Sequence, residues 1–140
     1  MNGRSLAILY KNLYNRLVTR KDSNTRIKWE GDSLEEIRSW PDGARANLGH
    51  DLNLLDRREP PLNSEPMGRS LPGVHKLNDS DRDFWYRVLY APLSGWIYVL
   101  HCFKKKTNKI AKNDIDLARA RLAQVKRRND PQAERETKSA

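Results

Sequence analysis

The sequence predicts an α+β domain in which an N-terminal helical hairpin packs on a small twisted antiparallel sheet and a C-terminal helix closes the chain. Three patterns predict it. Apolar residues recur every three or four positions from Leu34 to Leu55; aromatic and β-branched runs fill residues 84–91 and 96–103; and Ile115, Ala118, Leu122 and Val125 form a last helical stripe.

Before the domain, Leu6, Leu9, Tyr10, Leu13, Tyr14 and Leu17 fall at helical spacing among Arg4, Lys11, Arg16 and Arg20. Residues 1–25 therefore read as a basic amphipathic extension with a polar hinge at 21–24, able to pack on the domain, bind RNA or lie on a membrane surface. Alternation at 27–30 predicts a strand, and Gly31-Asp32-Ser33 a turn into a helix, with Ser33 and Glu36 spaced as a capping box. Pro41 stops that helix near Trp40, and a second begins near Asp42 and runs to the approach of Pro60-Pro61. Residues 60–73, rich in Pro, Gly, Asn and Ser, are expected to be an extended loop. Strands at 74–77, 84–91 and 96–103, separated by turn clusters at 78–81 and 92–95, make a three-stranded meander. A helix capped by Asn113 or Asp114 follows, its negative end matched by Lys126, Arg127 and Arg128. Residues 129–140 read as a disordered tail and 26–128 as the domain.

At 140 residues and 37% hydrophobic content, the chain supports one modest core. It contains no apolar run of membrane-spanning length, no signal-peptide pattern and a single cysteine, Cys102, so a soluble cytoplasmic protein without membrane attachment is expected. The net charge of +9 is unevenly placed: residues 30–59 hold eight acids against four bases, residues 69–128 fourteen bases against five acids. A one-sided positive field attracts polyanions and does not mark a small-molecule site. Solubility alone is the competing explanation of the charge.

The strings Lys28-Trp29-Glu30-Gly31, Pro66-Met67, Leu71-Pro72-Gly73-Val74, Tyr86-Arg87-Val88-Leu89-Tyr90 and Val99-Leu100-His101-Cys102-Phe103-Lys104-Lys105-Lys106-Thr107, in that order and spacing, resemble the HigB-like, phage-derived branch of the RelE superfamily, over about residues 26–128. The resemblance implies a type II toxin that cuts messenger RNA on the ribosome and is neutralised by a cognate antitoxin, often one with a helix-turn-helix domain. Relatives often carry a tyrosine or histidine near the C-terminus; this chain has neither beyond Arg121.

RNA cleavage that uses the RNA's own 2′-hydroxyl needs a base, a cationic clamp for the phosphorane and an acid for the leaving 5′-oxygen, and no metal or other cofactor. Arg87, mid-strand, suits the clamp, because its planar fork can hold two phosphate oxygens. Lys104, Lys105 and Lys106 read alone as a solvated basic edge or phosphate patch, but mutual repulsion lowers their pKa values and the resemblance favours proton transfer by one member, with Lys104 and Lys106 leaving the strand opposite Lys105. His101 is either a general acid or a satisfied core histidine, sharing a face by alternation with Phe103, Val99 and Ile97. Arg69, Lys76, Lys106, Lys109 and Lys112 are candidate RNA contacts or ordinary surface cations. At most one or two of Trp85, Tyr86, Tyr90, Trp96 and Tyr98 are expected to stack on a base, the rest to be core. His50 and His75 lie on different elements with no acid or cysteine at ligand spacing, so no metal site is expected. A catalytically silent RNA- or ribosome-binding module of the same fold is the alternative.

Overall fold

A computed structural model describes residues 25–130. The helix expected near the N-terminus and the tail beyond residue 130 lie outside them. β1 (Ile27–Trp29) leads into α1 (Ser33–Arg38) and α2 (Asp42–Asp56). Then β2 (Ser64–Pro66) and a 3-10 turn (Gly68–Ser70) cross to β3 (His75–Ser80), β4 (Trp85–Leu93) and β5 (Trp96–Lys105), and α3 (Lys112–Arg128) follows.

The expected architecture is corrected in its central feature. The sheet is five-stranded and mixed, ordered β1-β5-β4-β3-β2, with β1 parallel to β5 so that Ile27 lies opposite Ile97 and Trp29 opposite Val99. The two early helices are not an N-terminal hairpin on an antiparallel sheet: they come after a strand, α1 lying against β5 and α2 against β3. Parallel neighbours require a long crossover, and the chain between β1 and β5 supplies it. Arg26 secures the start of β1. Its backbone amide donates to Asp56 at 2.6 Å, and its guanidinium to the Leu55 and Gly95 carbonyls at 2.8 Å each.

Three local expectations also change. Ser33 is the first helical residue and caps nothing; its hydroxyl donates to the carbonyls of Glu30 (2.7 Å) and Val99 (3.2 Å), while Glu36 accepts from the Trp40 indole instead of closing a capping box. β2 lies inside the expected loop, and β3 continues through residues 78–80. The β4–β5 turn is tight, with Ser94 and Gly95 both at positive φ, as a two-residue hairpin with right-handed strand twist requires.

Both faces of the central strands are covered, which explains why β4 and β5 read as almost continuous apolar runs. Tyr86, Val88, Tyr90, Ile97, Val99 and Cys102 meet Ile37, Trp40, Leu48 and Leu52 of the α1–α2 segment. On the other face Leu89, Ala91, Tyr98, Leu100 and Phe103 meet Ala118, Leu122 and Val125 of α3. The phase of β5 changes in mid-strand: Leu89 pairs with His101 but Tyr90 with Val99, leaving Leu100 as an extra residue, a bulge. Beyond it, His101 and Phe103 face α3, not the face of Ile97 and Val99 as simple alternation predicts. The Leu100 carbonyl accepts from Arg121 of α3 at 2.8 Å, and the same guanidinium reaches Asp32 at 3.0 Å. Gly31, at φ +55°, makes room for it: a Cβ there would stand 2.4 Å from the guanidinium carbon.

Arg121→Ala is expected to cost about 1–3 kcal/mol, the cost of leaving a buried carbonyl without a donor, read as a lowered denaturation midpoint. A second expectation concerns Tyr86, which is fully buried and donates to Asp81 at 2.7 Å. Burial first, then the Asp81 hydrogen bond and charge, push its pKa from 10.0 up to about 12. A raised folded-state pKa contributes stability that is fully present below pH 10.0 and lost as pH rises toward about 12. Wild type should therefore lose stability more steeply than Tyr86→Phe over that interval in parallel denaturation series.

Candidate functional site

The side of the sheet that α3 packs against also carries a polar cleft. Register builds it: Arg87 on β4 lies opposite Asn78 on β3, and Lys76 on β3 opposite Glu65 on β2. These four, with Asn63, Trp85 and Asn108, line a cavity of about 240 Å³. Lys76 is ion-paired with Glu65 at 3.3 Å.

Arg87 is only 4% exposed. Its Nη2 donates to the side-chain and backbone carbonyls of Asn108, on the exposed loop between β5 and α3, and its guanidinium carbon stands 5.2 Å from the Trp85 ring centre. Its Nη1 is buried without a hydrogen-bond partner among the described residues. Burial lowers the Arg87 pKa, and the charge of Glu65 opposes that shift. A buried cation with an unused donor favours an arriving anion.

A second polar group lies on the same side. His101, 7% exposed, has Nε2 2.8 Å from Asp114 Oδ1, and its ring stacks on Phe103 at 4.9 Å. The other oxygen of Asp114 lies 3.0 Å from Lys105 Nζ. Asp114, in the first turn of α3, thus joins His101 to Lys105, and Lys105 is the cross-strand neighbour of Trp85. The His101 Nδ1 is buried without a partner among the described residues.

The predicted residues separate accordingly. Arg87 and Lys76 share the cleft, and Lys105 and His101 are brought together by Asp114. Lys104 leaves the opposite face, its ammonium 4.7 Å from the Phe84 ring centre, so the lysine triplet is divided. Lys106 and Lys109 are exposed on the loop that carries Asn108, Lys112 is exposed at the start of α3, and Arg69 is exposed on the 3-10 turn, outside the cleft lining. Of the aromatics, Tyr86, Tyr90 and Tyr98 are buried, while Trp85 is half-buried in the cleft. Asp114 and Asn108 were not singled out by sequence reasoning as site residues. Asp114 did leave a signal: it stands in register with Ala118, Leu122 and Val125, so a carboxylate occupies an apolar stripe. Asn108 left none.

Among the described residues, no group of three or more His, Cys, Asp and Glu side chains is placed to hold a metal, and no helix is long and apolar enough to cross a membrane. Cys102 is buried, and that burial pushes its thiol pKa well up.

The fold and cleft define a small mixed-sheet protein with a buried arginine at a polar sheet face. Residues 35–123 match the family of phage-derived Gp49-like proteins (DUF891), and the chain belongs to that family. No curated protein and no solved structure matches the chain.

Asp114→Ala is expected to cost about 1.5–3 kcal/mol, because it removes the charged partner of both His101 and Lys105. A urea titration beside His101→Ala and the double variant checks this: the two losses should be clearly non-additive, since the residues share one network.

Proposed function

We propose that this chain is the toxin of a type II toxin–antitoxin pair, a HigB-like member of the RelE superfamily that cuts ribosome-bound messenger RNA. The observation that carries the reading is Arg87, a guanidinium at a cleft with one buried amino group unpaired. The family of phage-derived Gp49-like proteins supports it, as does the excess of bases in the second half of the chain.

The chemistry assigns roles. The RNA 2′-oxygen attacks phosphorus, a P–O2′ bond forms and the P–O5′ bond breaks; no metal is needed. Arg87 holds the phosphate oxygens, displacing the Asn108 carboxamide, and Lys76 gives a further cationic contact. Lys105, beside Trp85 and paired with Asp114, exchanges a proton at one of the two oxygens and solvent water at the other, so that the 2′-hydroxyl loses its proton and O5′ leaves protonated. His101, with Nε2 turned to Asp114, acts as a positioning residue and does not itself reach substrate. Trp85 offers a stacking face for an unpaired base. Lys106 and Lys109, flanking Asn108, meet the RNA backbone. The cognate partner is an antitoxin with a helix-turn-helix domain.

Induced expression in bacteria, wild type beside Arg87→Ala, with primer extension on an abundant transcript, tests the reading. The expected outcome is growth arrest with discrete codon-phased cuts, reduced about 100-fold or more in the variant. Full-level soluble protein with neither arrest nor cuts would overturn this reading in favour of the silent RNA-binding module.

A further inference from the structure

α2 is buried on two sides. Ala44, Leu48, Leu52 and Leu55, three or four residues apart, turn toward the sheet and belong to the apolar core. Ala46, Gly49 and Asn53 form a second stripe, roughly 140° further round a helix of about 3.6 residues per turn. Ala46 is 7% exposed and Asn53 1%, and Gly49 is buried too, yet Ala46 belongs to neither apolar core. An asparagine on a solvated helix face stays exposed, so this outer stripe is covered. The described neighbours of α2 lie on other sides. β3 lies under the core stripe, the amides of Leu62 and Asn63 donate to Asp51 beside that stripe, and Arg45 donates to the carbonyl of Arg38, the last residue of α1.

Residues 1–24 have the position, length and character of the missing cover. Their position follows from chain continuity: the amide of Arg26 is held by Asp56, the last residue of α2, and its guanidinium by the Leu55 carbonyl, so the segment reaches the domain at that end of the helix. A helix over residues 5–20 would be about 24 Å long, and α2 is about 22 Å long, at a rise of about 1.5 Å per residue. Leu6, Leu9, Leu13 and Leu17 share one face of such a helix, flanked by Tyr10 and Tyr14. A helix this short gains its stability from packing that face on something, and the small side chains of Ala46 and Gly49 leave room for leucines. The charges are complementary. The segment carries Arg4, Lys11, Arg16, Arg20 and Lys21 against the single acid Asp22, whereas residues 30–59, which include α1 and α2, hold eight acids against four bases.

We propose that residues 5–20 dock as a helix along the outer face of α2, parallel to it, with Leu9, Leu13 and Leu17 passing Ala46, Gly49 and Asn53 in that order. Of the roles open to this extension, it takes the structural one: an additional layer over α2, on the side of the sheet away from the Arg87 cleft. The cleft stays open, and the segment's leucines are not available to a membrane.

Hydrogen exchange on the full chain, with a synthetic peptide of residues 1–24 as the unstructured reference, tests the docking. Amides of residues 6–17 are expected to exchange at least about tenfold more slowly in the chain than in the peptide. Gly49→Gln discriminates by sign. Glutamine is the better helix former, so on a solvated face it raises the denaturation midpoint; under a docked helix it lowers the midpoint and brings residues 6–17 within about threefold of the peptide rate. Leu13→Gln, on the segment itself, is expected to release the same amides, and in its presence Gly49→Gln should no longer lower the midpoint, because the contact it disturbs is already gone. Wild-type exchange at the peptide rate, or a midpoint raised by Gly49→Gln alone, would overturn the proposal. So would protection that appears only as protein concentration rises, which assigns the face to a second copy, or only with added RNA or anionic vesicles, which assigns the segment to those surfaces.

Discussion

Leu100 is the residue by which β5 outruns β4, and its place in the strand decides which side chains meet. Without it, strict alternation would keep His101, Phe103 and Lys105 on the face of Ile97 and Val99, among the apolar contacts of α1 and α2. With it, the three turn toward α3, where Asp114 receives His101 and Lys105, on the side of the sheet that carries Arg87. The bulge is held from outside the sheet by Arg121, whose reach across to Asp32 ties α3 to the turn after β1. One extra residue therefore sets the phase of the strand that bears half of the candidate site.

The candidate site combines a rigid floor with an exposed cover. Arg87, Asn78 and Lys76 are placed by strand register, which admits little displacement. Asn108 comes from the loop after β5 and contacts the buried guanidinium from an exposed position. A buried guanidinium that must stay charged is stabilised by acceptors, and among the described residues Asn108, through its side-chain and backbone carbonyls, supplies them at Nη2 while Nη1 has none. The same economy recurs at Asp114, one carboxylate serving two cationic or polar partners across a strand–helix contact.

Much of this was legible in the sequence. Aromatic and β-branched runs placed β4 and β5, helical spacing placed α2 and α3, and a lone arginine between apolar neighbours marked Arg87. Three features were not legible, for physical reasons. β1 is a three-residue strand whose pairing depends on a partner far along the chain, so local pattern could not show that it joins the sheet in parallel. The bulge carries no glycine, and Leu100 looks like any strand residue. β2 sits in a Pro- and Asn-containing segment whose composition reads as loop, and only its pairing with β3 makes it a strand. In the site, the strand residues Arg87, Lys76, His101 and Lys105 were found from their types and positions, whereas Asp114, on a helix, and Asn108, on a loop, reach it only through tertiary packing and were not.

The parallel pairing of Ile27 with Ile97 has a consequence for how the molecule comes into being. β5 lies between β1 and β4, so the strand next to which the earliest described segment must settle is the last strand synthesised. Closing so long a loop carries an entropic cost that nearby contacts do not, and topologies of this kind fold slowly for their size. A nascent chain leaving the ribosome holds β1 and α1 without their sheet partner until β5 emerges. The apolar contacts of β1 and α1 with β5 are therefore made only after most of the sheet has been synthesised.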